Sequence, residues 1–301
     1  MSSSRATLLV ALAAVCFSTL GIFTVLGTTS GAPLATVLAG RYVVAALLLF
    51  AIARRRALVR RSVAMPIIAA GLGQAVIAFT ALSSLRYVQV ATMVFLFYTY
   101  PAWVAVFAVI RGSERLDGRH LSALALALGG IAFMVGSPWS GAPRWEGVVL
   151  ALVSAILFAV YIPAIARLQR DTNPTAASAY VSAGAGLVFV IGGTVAGVHE
   201  LDLAPQAIFA ILGLAVICTI IGFILFLGGL AVLGPVRTAI VSTIEPFAAA
   251  VLGWLILGQA FRAPTLIGGG MIATAVLLLL GAPRAATEPQ GLRDRDGPYI
   301  S

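Results

Sequence analysis

The chain has 301 residues, of which 61% are hydrophobic and 10% charged, with a mean hydropathy of +1.07. That composition excludes a soluble globular domain and makes the protein an integral membrane protein. All nineteen basic residues are arginine, and although the net charge is +9, arginines flanking apolar runs are what membrane topology produces, so nucleic acid is not implied as a partner.

The polar head Met1 to Arg5 precedes a run long enough to span a bilayer and is followed by no clean small-residue cleavage pattern, so it is read as the start of the first helix. At about twenty apolar residues per crossing, spanning helices are expected near 6–27, 33–53, 64–82, 88–110, 119–136, 145–166, 175–198, 206–230, 236–256 and 263–281. The fold class is therefore all-α, with ten transmembrane helices joined by short turns and no room for a soluble domain. The tail from Ala282 to Ser301 is polar, contains three prolines, and reads as disordered.

Arginines on alternate sides of these spans divide fifteen to three. The rich side carries Arg5, Arg54, Arg111, Arg167, Arg237 and Arg284 among others, the poor side Arg86, Arg144 and Arg262, and Arg41 lies inside a span. This bias places both termini in the cytoplasm. Cys16 and Cys218 each sit in an apolar run and read as small core residues, and no metal-ligand cluster, nucleophile–base set or cofactor loop is evident.

Shifting the first half by 145 residues lays Leu85 on Leu230, Pro101 on Pro246 and Glu114 on Gln259, and a shift of 141 lays Phe17 on Phe158. Five spans per half is an odd number, so the halves, 1–136 and 145–281, enter the membrane from opposite sides as an inverted repeat. That architecture recurs in secondary transporters, with the substrate site near the midplane.

Two five-helix halves carrying Pro101 and Glu114, then Pro246 and Gln259, with Arg41 early in the second helix, resemble the EamA branch of the drug/metabolite transporter superfamily. Each half keeps one of two glycines usual in that pattern, with Ala123 and Gly130 in the first and Gly268 and Ala275 in the second. Gln259 stands where an acid is usual, which favours a capping role for Glu114. The resemblance implies a multi-pass exporter of small metabolites in a bacterial inner membrane, with amino acids the most frequent cargo.

The candidate site centres on Glu245, an acid inside an apolar run and beside a helix breaker. Thr238, Ser242 and Glu245 fall at i, i+4 and i+7 on one helical face. The same positions of the fourth helix are Met93, Phe97 and Tyr100, with Trp103 beyond. Such a two-sided cavity, carboxylate and hydroxyls against rings, suits an amphipathic zwitterion; the alternative reading of the rings is helix packing. Gln74, and Ser154, Phe158 and Tyr161, are further candidates for substrate contact or interhelical packing. Pro101 and Pro246 leave the carbonyls of Phe97 and Ser242 without their usual donors and mark possible hinges. Arg41 lies at a depth similar to Glu245, so it pairs with Glu245, meets the substrate carboxylate, or braces backbone carbonyls. Glu245 is also a candidate proton carrier, and uniport remains open beside proton antiport. Within transport, efflux of cationic drugs or quaternary amines is the second reading. His120 and His199 are expected to be solvated at span ends.

Overall fold

A computed structural model of the chain describes residues 1–54, 59–113, 116–136, 144–258 and 263–280, apart from the side chains of Ala91, Leu257 and Leu280. Glu114, Gln259 and the tail from Ala282 lie outside the described residues. Those described form helices and connecting turns, with no strand among them. The first span comprises α1 (Ser3–Ser18) and α2 (Leu20–Thr29), the second α3 (Leu34–Ala53) and the third α4 (Arg61–Ser84). The fourth comprises α5 (Val90–Phe97) and α6 (Tyr100–Ile110), the fifth α7 (Gly118–Val135), the sixth α8 (Trp145–Leu168) and the seventh α9 (Pro174–Val195). The eighth runs through α10 (Pro205–Gly213), a π-helical stretch (Leu214–Ile221) and α11 (Gly222–Leu233). The ninth comprises α12 (Pro235–Val241) and α13 (Ile244–Leu257), and the tenth is α14 (Ala263–Leu280). Nine of these runs are long and apolar enough to cross a membrane, and the last is a shorter apolar helix.

The ends are set by local chemistry. Ser2, Asp117 and Asn173 cap α1, α7 and α9, each side chain accepting a backbone N–H of the first turn. Gly234, at φ +76°, closes α11 and hands the chain to Pro235 at the first position of α12, which needs no N–H there. Large apolar side chains such as Leu47, Phe79, Phe209 and Leu277 are exposed, as lipid-facing positions should be.

The packing obeys an exchange of halves. Span three against six is answered by eight against one, four against six by nine against one, three against seven by eight against two, and four against five by nine against ten. Two against seven, five against ten, and four against nine are their own counterparts. A two-fold relation between oppositely inserted halves predicts this pattern, which a simple sequential bundle would not give.

With lipid as apolar as the helices, close approach of small residues supplies much of the association. A Cβ built on Gly71 would lie 2.9 Å from Cα of Gly184, and one on Gly184 would lie 3.0 Å from Cα of Gly71, so the third and seventh spans touch backbone to backbone. Gly130 likewise faces the carbonyl of Gly268 between the fifth and tenth spans, flanked by fully buried Ala123, Ala127 and Ala275. The glycine runs are packing devices only in part, since Gly73 and Gly270 face open space.

Three spans expected to be continuous are broken. In the first, which has no proline, Ser18 and Thr19 turn their hydroxyls back onto the carbonyls of Val15 and Cys16 at 2.6 and 2.8 Å, tightening the turn where α1 ends. The other two breaks build the site.

Candidate functional site

The fourth and ninth spans cross at matching interruptions. Thr99 Oγ1 donates to the Leu96 carbonyl at 2.6 Å, and Thr243 Oγ1 to the Ile240 carbonyl at 2.7 Å. Each span then restarts as a fresh helix with its proline in the first turn. The Ser242 carbonyl, expected to be left free by Pro246, instead accepts the Glu245 N–H at 3.0 Å through a three-residue turn. The break thus satisfies its own backbone, as a membrane interior requires.

Glu245 is the second residue of α13. The first turn of a helix presents unpaired N–H groups and the positive end of its dipole, which favours a carboxylate there. Glu245 is half-buried, and its carboxyl lies close to the Tyr98 hydroxyl. Tyr98 itself is buried, and its ring lies 5.5 Å from Phe97 and 5.9 Å from Tyr100. From there the rings continue into the sixth span: Tyr100 meets Phe158 edge-on at 4.8 Å, Phe97 stacks on Phe158 at 5.6 Å, and Phe158 stacks on Tyr161 at 6.0 Å. Phe97, Phe158 and Tyr161 are each half-buried and so form an apolar wall beside the carboxylate.

Arg41 does not pair with Glu245, since no nitrogen–oxygen contact within 4.0 Å joins them. Its Nε donates to Thr219 Oγ1 at 2.8 Å, and its guanidinium lies over the Tyr42 ring, 4.7 Å from the centroid. Thr219 belongs to the π-helical stretch, where its hydroxyl donates to the Leu214 carbonyl five residues back at 3.0 Å, leaving its lone pairs for Arg41. Beside it, Cys218 Sγ lies 3.2 Å from Thr19 Oγ1 at the break of the first span.

The remaining candidates divide. Thr238 and Ser242 do not share a continuous face with Glu245, because the helix ends between Ser242 and Glu245. Both are buried, Thr238 in α12 and Ser242 just past its end, Ser242 bonding back to the Thr238 carbonyl at 2.8 Å and Thr238 Oγ1 having no partner. Tyr100 is buried and bridges the spans, its hydroxyl donating to the Ala239 carbonyl at 3.4 Å. Trp103 is half-buried near Phe107 with Nε1 unpartnered. Gln74 is half-buried and bonds to no other described residue, whereas Ser154 is fully buried and donates to the Ile77 carbonyl at 3.0 Å as an interhelical tie. Pro101 is buried and Pro246 half-buried.

Exchange of halves fails in several places, one of them at this crossing. Helix α6 packs against α12, but their counterparts α13 and α5 have no comparable packing. Every residue from Val236 to Thr243 is buried, whereas Ile244 to Phe247 are only half-buried. The crossing is closed on the side of the N-terminus and looser on the opposite side.

On the closed side the histidine expectation is corrected. His120 is buried, its Nδ1 2.6 Å from Asp117 Oδ1, and its Nε2 accepts from Arg237 Nε at 3.4 Å. This pairing assigns the proton to Nδ1. The backbone N–H and then the ring of His120 hold the Asp117 carboxyl below the usual carboxylate range. His199 is half-buried, with Nδ1 3.3 Å from Thr36 Oγ1 and its ring filling the space a side chain at Gly193 would need.

Tyr98, Thr219 and Tyr42 were not among the candidates. A wheel drawn through an unbroken fourth helix turns Tyr98 away from the Phe97–Tyr100 stripe, and an α-helical eighth span places Thr219 in a different register. The one usable signal was a threonine three residues after a carbonyl it could bond, ahead of proline. Among the described residues, no group of three or more His, Cys, Asp or Glu side chains gathers as a metal site.

Nine membrane-length helices and a shorter tenth among the described residues, in two exchangeable halves that cross at paired breaks around an interior carboxylate, define a multi-pass membrane transporter of small molecules. The chain belongs to the EamA-like transporter family, which matches residues 4–136 and again 145–281. It is 28% identical over 215 residues to an uncharacterized transporter of Archaeoglobus fulgidus, covering 69% of this chain and 74% of that one. A crystal structure of a chain 19% identical shares the fold, with a TM-score of 0.77 over 92% of this chain and 96% of the other.

Proposed function

We propose that the protein is a secondary transporter of the bacterial inner membrane, both termini cytoplasmic, that exports small metabolites, foremost amino acids, by alternating access. The observation that carries this is Glu245: a carboxylate inside an apolar span with no ion-pair partner, close to Tyr98 and beside the half-buried Phe97, Phe158 and Tyr161. An ammonium group satisfies the acid and an apolar side chain occupies the ring wall. The orientation rests on the arginine bias, and the hinge role falls to the breaks at Pro101 and Pro246, where only short turns join the two half-helices of each span. With the N-terminal side packed shut and the other side looser, the arrangement corresponds to a state open to the exterior. Protons are the expected coupling ion, with Glu245 the carrier.

Efflux of organic cations or quaternary amines is the second reading, favoured by the same carboxylate and rings. Proteoliposomes loaded with labelled leucine or labelled tetraethylammonium separate the two. Saturable leucine efflux supports amino-acid export; saturable efflux of the cation alone replaces that reading with the second.

A further inference from the structure

Arg41 is 4% exposed, and a guanidinium so placed must be compensated. Its Nε is taken by Thr219 and one face by Tyr42, but among the described residues Nη1 and Nη2 meet no protein acceptor. Neither is among the fully enclosed polar atoms that lack a partner. Glu245 stays beyond ion-pair distance of Arg41. The outer edge of the fork is thus held in place by Thr219 and Tyr42 while pairing with no described acceptor.

We propose that Arg41 is the carboxylate subsite of the site built around Glu245, positioned by Thr219 and Tyr42, so that the substrate is a zwitterion held between Arg41 and Glu245. This rests on the transport reading and narrows it. Parallel N–H groups of a guanidinium match the two oxygens of a carboxylate, and holding Nε and one ring face in advance leaves Nη1 and Nη2 for that pairing. Thr219 can do so because its stretch is π-helical: one residue fewer in that turn would carry its hydroxyl about 100° around the axis. The quaternary-amine reading leaves this arginine without a role.

The test compares L-leucine with isopentylamine, the same side chain and ammonium without the carboxylate, as competitors of labelled leucine counterflow in proteoliposomes. The full chain is used as wild type, Thr219→Val and Arg41→Lys. Thr219→Val keeps shape and removes only the hydroxyl, so it guards against misfolding of the arginine variant; its melting temperature in detergent checks this. The proposal expects isopentylamine to compete at least tenfold more weakly than leucine in the wild type. It also expects both variants to weaken leucine about tenfold while changing isopentylamine less than twofold. Equal competition by the two ligands in the wild type, or equal losses in the variants, would overturn the subsite and leave transport standing. If wild-type protein moves no leucine at all, the amino-acid reading falls and the subsite with it.

Discussion

Replacing Glu245 with glutamine isolates its charge. Glutamine keeps the length of the side chain and an oxygen that can accept from Tyr98, so the start of α13 and the ring wall should persist. Two unit charges 4 Å apart attract by about 4 kcal/mol at an effective dielectric near 20. Stripping water from the ammonium offsets part of this, and a charge-assisted hydrogen bond retains a net value of about 1.5–3 kcal/mol. Apparent affinity for an ammonium-bearing substrate should therefore fall about 10- to 100-fold, with melting temperature unchanged or raised because an interior charge is gone. Counterflow in proteoliposomes at fixed pH measures the affinity, and an imposed pH gradient tests coupling in the same vesicles. An affinity within twofold of wild type would refute the assignment of Glu245 to the substrate ammonium. Gradient-driven flux unchanged by the substitution would remove it as the proton carrier.

Gly71→Leu should lower the melting temperature strongly, since overpacking costs about 1–3 kcal/mol and here the obstacle is the backbone of the seventh span; Gly73→Leu, facing open space, is the matched control and should be near neutral. Asp117→Asn should destabilise the protein at neutral pH. Because the folded carboxyl titrates below its unfolded value, its contribution is complete above about pH 4 and is lost as pH falls through the lower folded value, so melting curves of the two proteins should converge in acid. Tyr100→Phe removes the donor to the Ala239 carbonyl and should speed labelling of a cysteine placed at Ala239 from the N-terminal side; labelling as slow as in the Tyr100 protein would deny it a sealing role. Pro246→Ala should slow exchange and raise the melting temperature, as helix hydrogen bonds extend across the break; faster exchange would count against a hinge.

The spans were legible because each is a run of some twenty apolar residues, a one-dimensional signal that packing does not alter. The halves were legible because a proline pair spaced by 145 residues marks the same backbone event twice. What composition could not show is register within a span. Thr99 and Thr243 end their helices by bonding to carbonyls three residues back, so Thr238, Ser242 and Glu245, aligned on a wheel, separate into a buried pair and a half-exposed acid. The same limit hid Tyr98 and Thr219, one beside a break and the other within a π-helical turn. Whether Arg41 and Glu245 touch depended on which hydroxyl reached the guanidinium first, and that hydroxyl comes from a span 178 residues away.

The inequality of the two crossings bears on why only one half carries the acid. Tyr100 and Glu245 occupy equivalent positions, and Tyr100 closes the N-terminal side by donating to the Ala239 carbonyl. Exchanging halves turns this contact into Glu245 facing the carbonyl of Val94, the equivalent of Ala239. A phenol can always donate there, but an ionised carboxylate offers only acceptors and would set negative charge against a carbonyl. Under alternating access, closing the opposite side therefore needs Glu245 protonated or covered by an ammonium. The empty, ionised transporter then rests with that side loose, as the packing of α5 and α13 has it. Glutamine at 245 supplies the missing donor without proton or substrate, so a cysteine at Ala249 on α13 should label more slowly from that side in Glu245→Gln than in the parent. Equal labelling rates would break the link between the charge of this residue and closure.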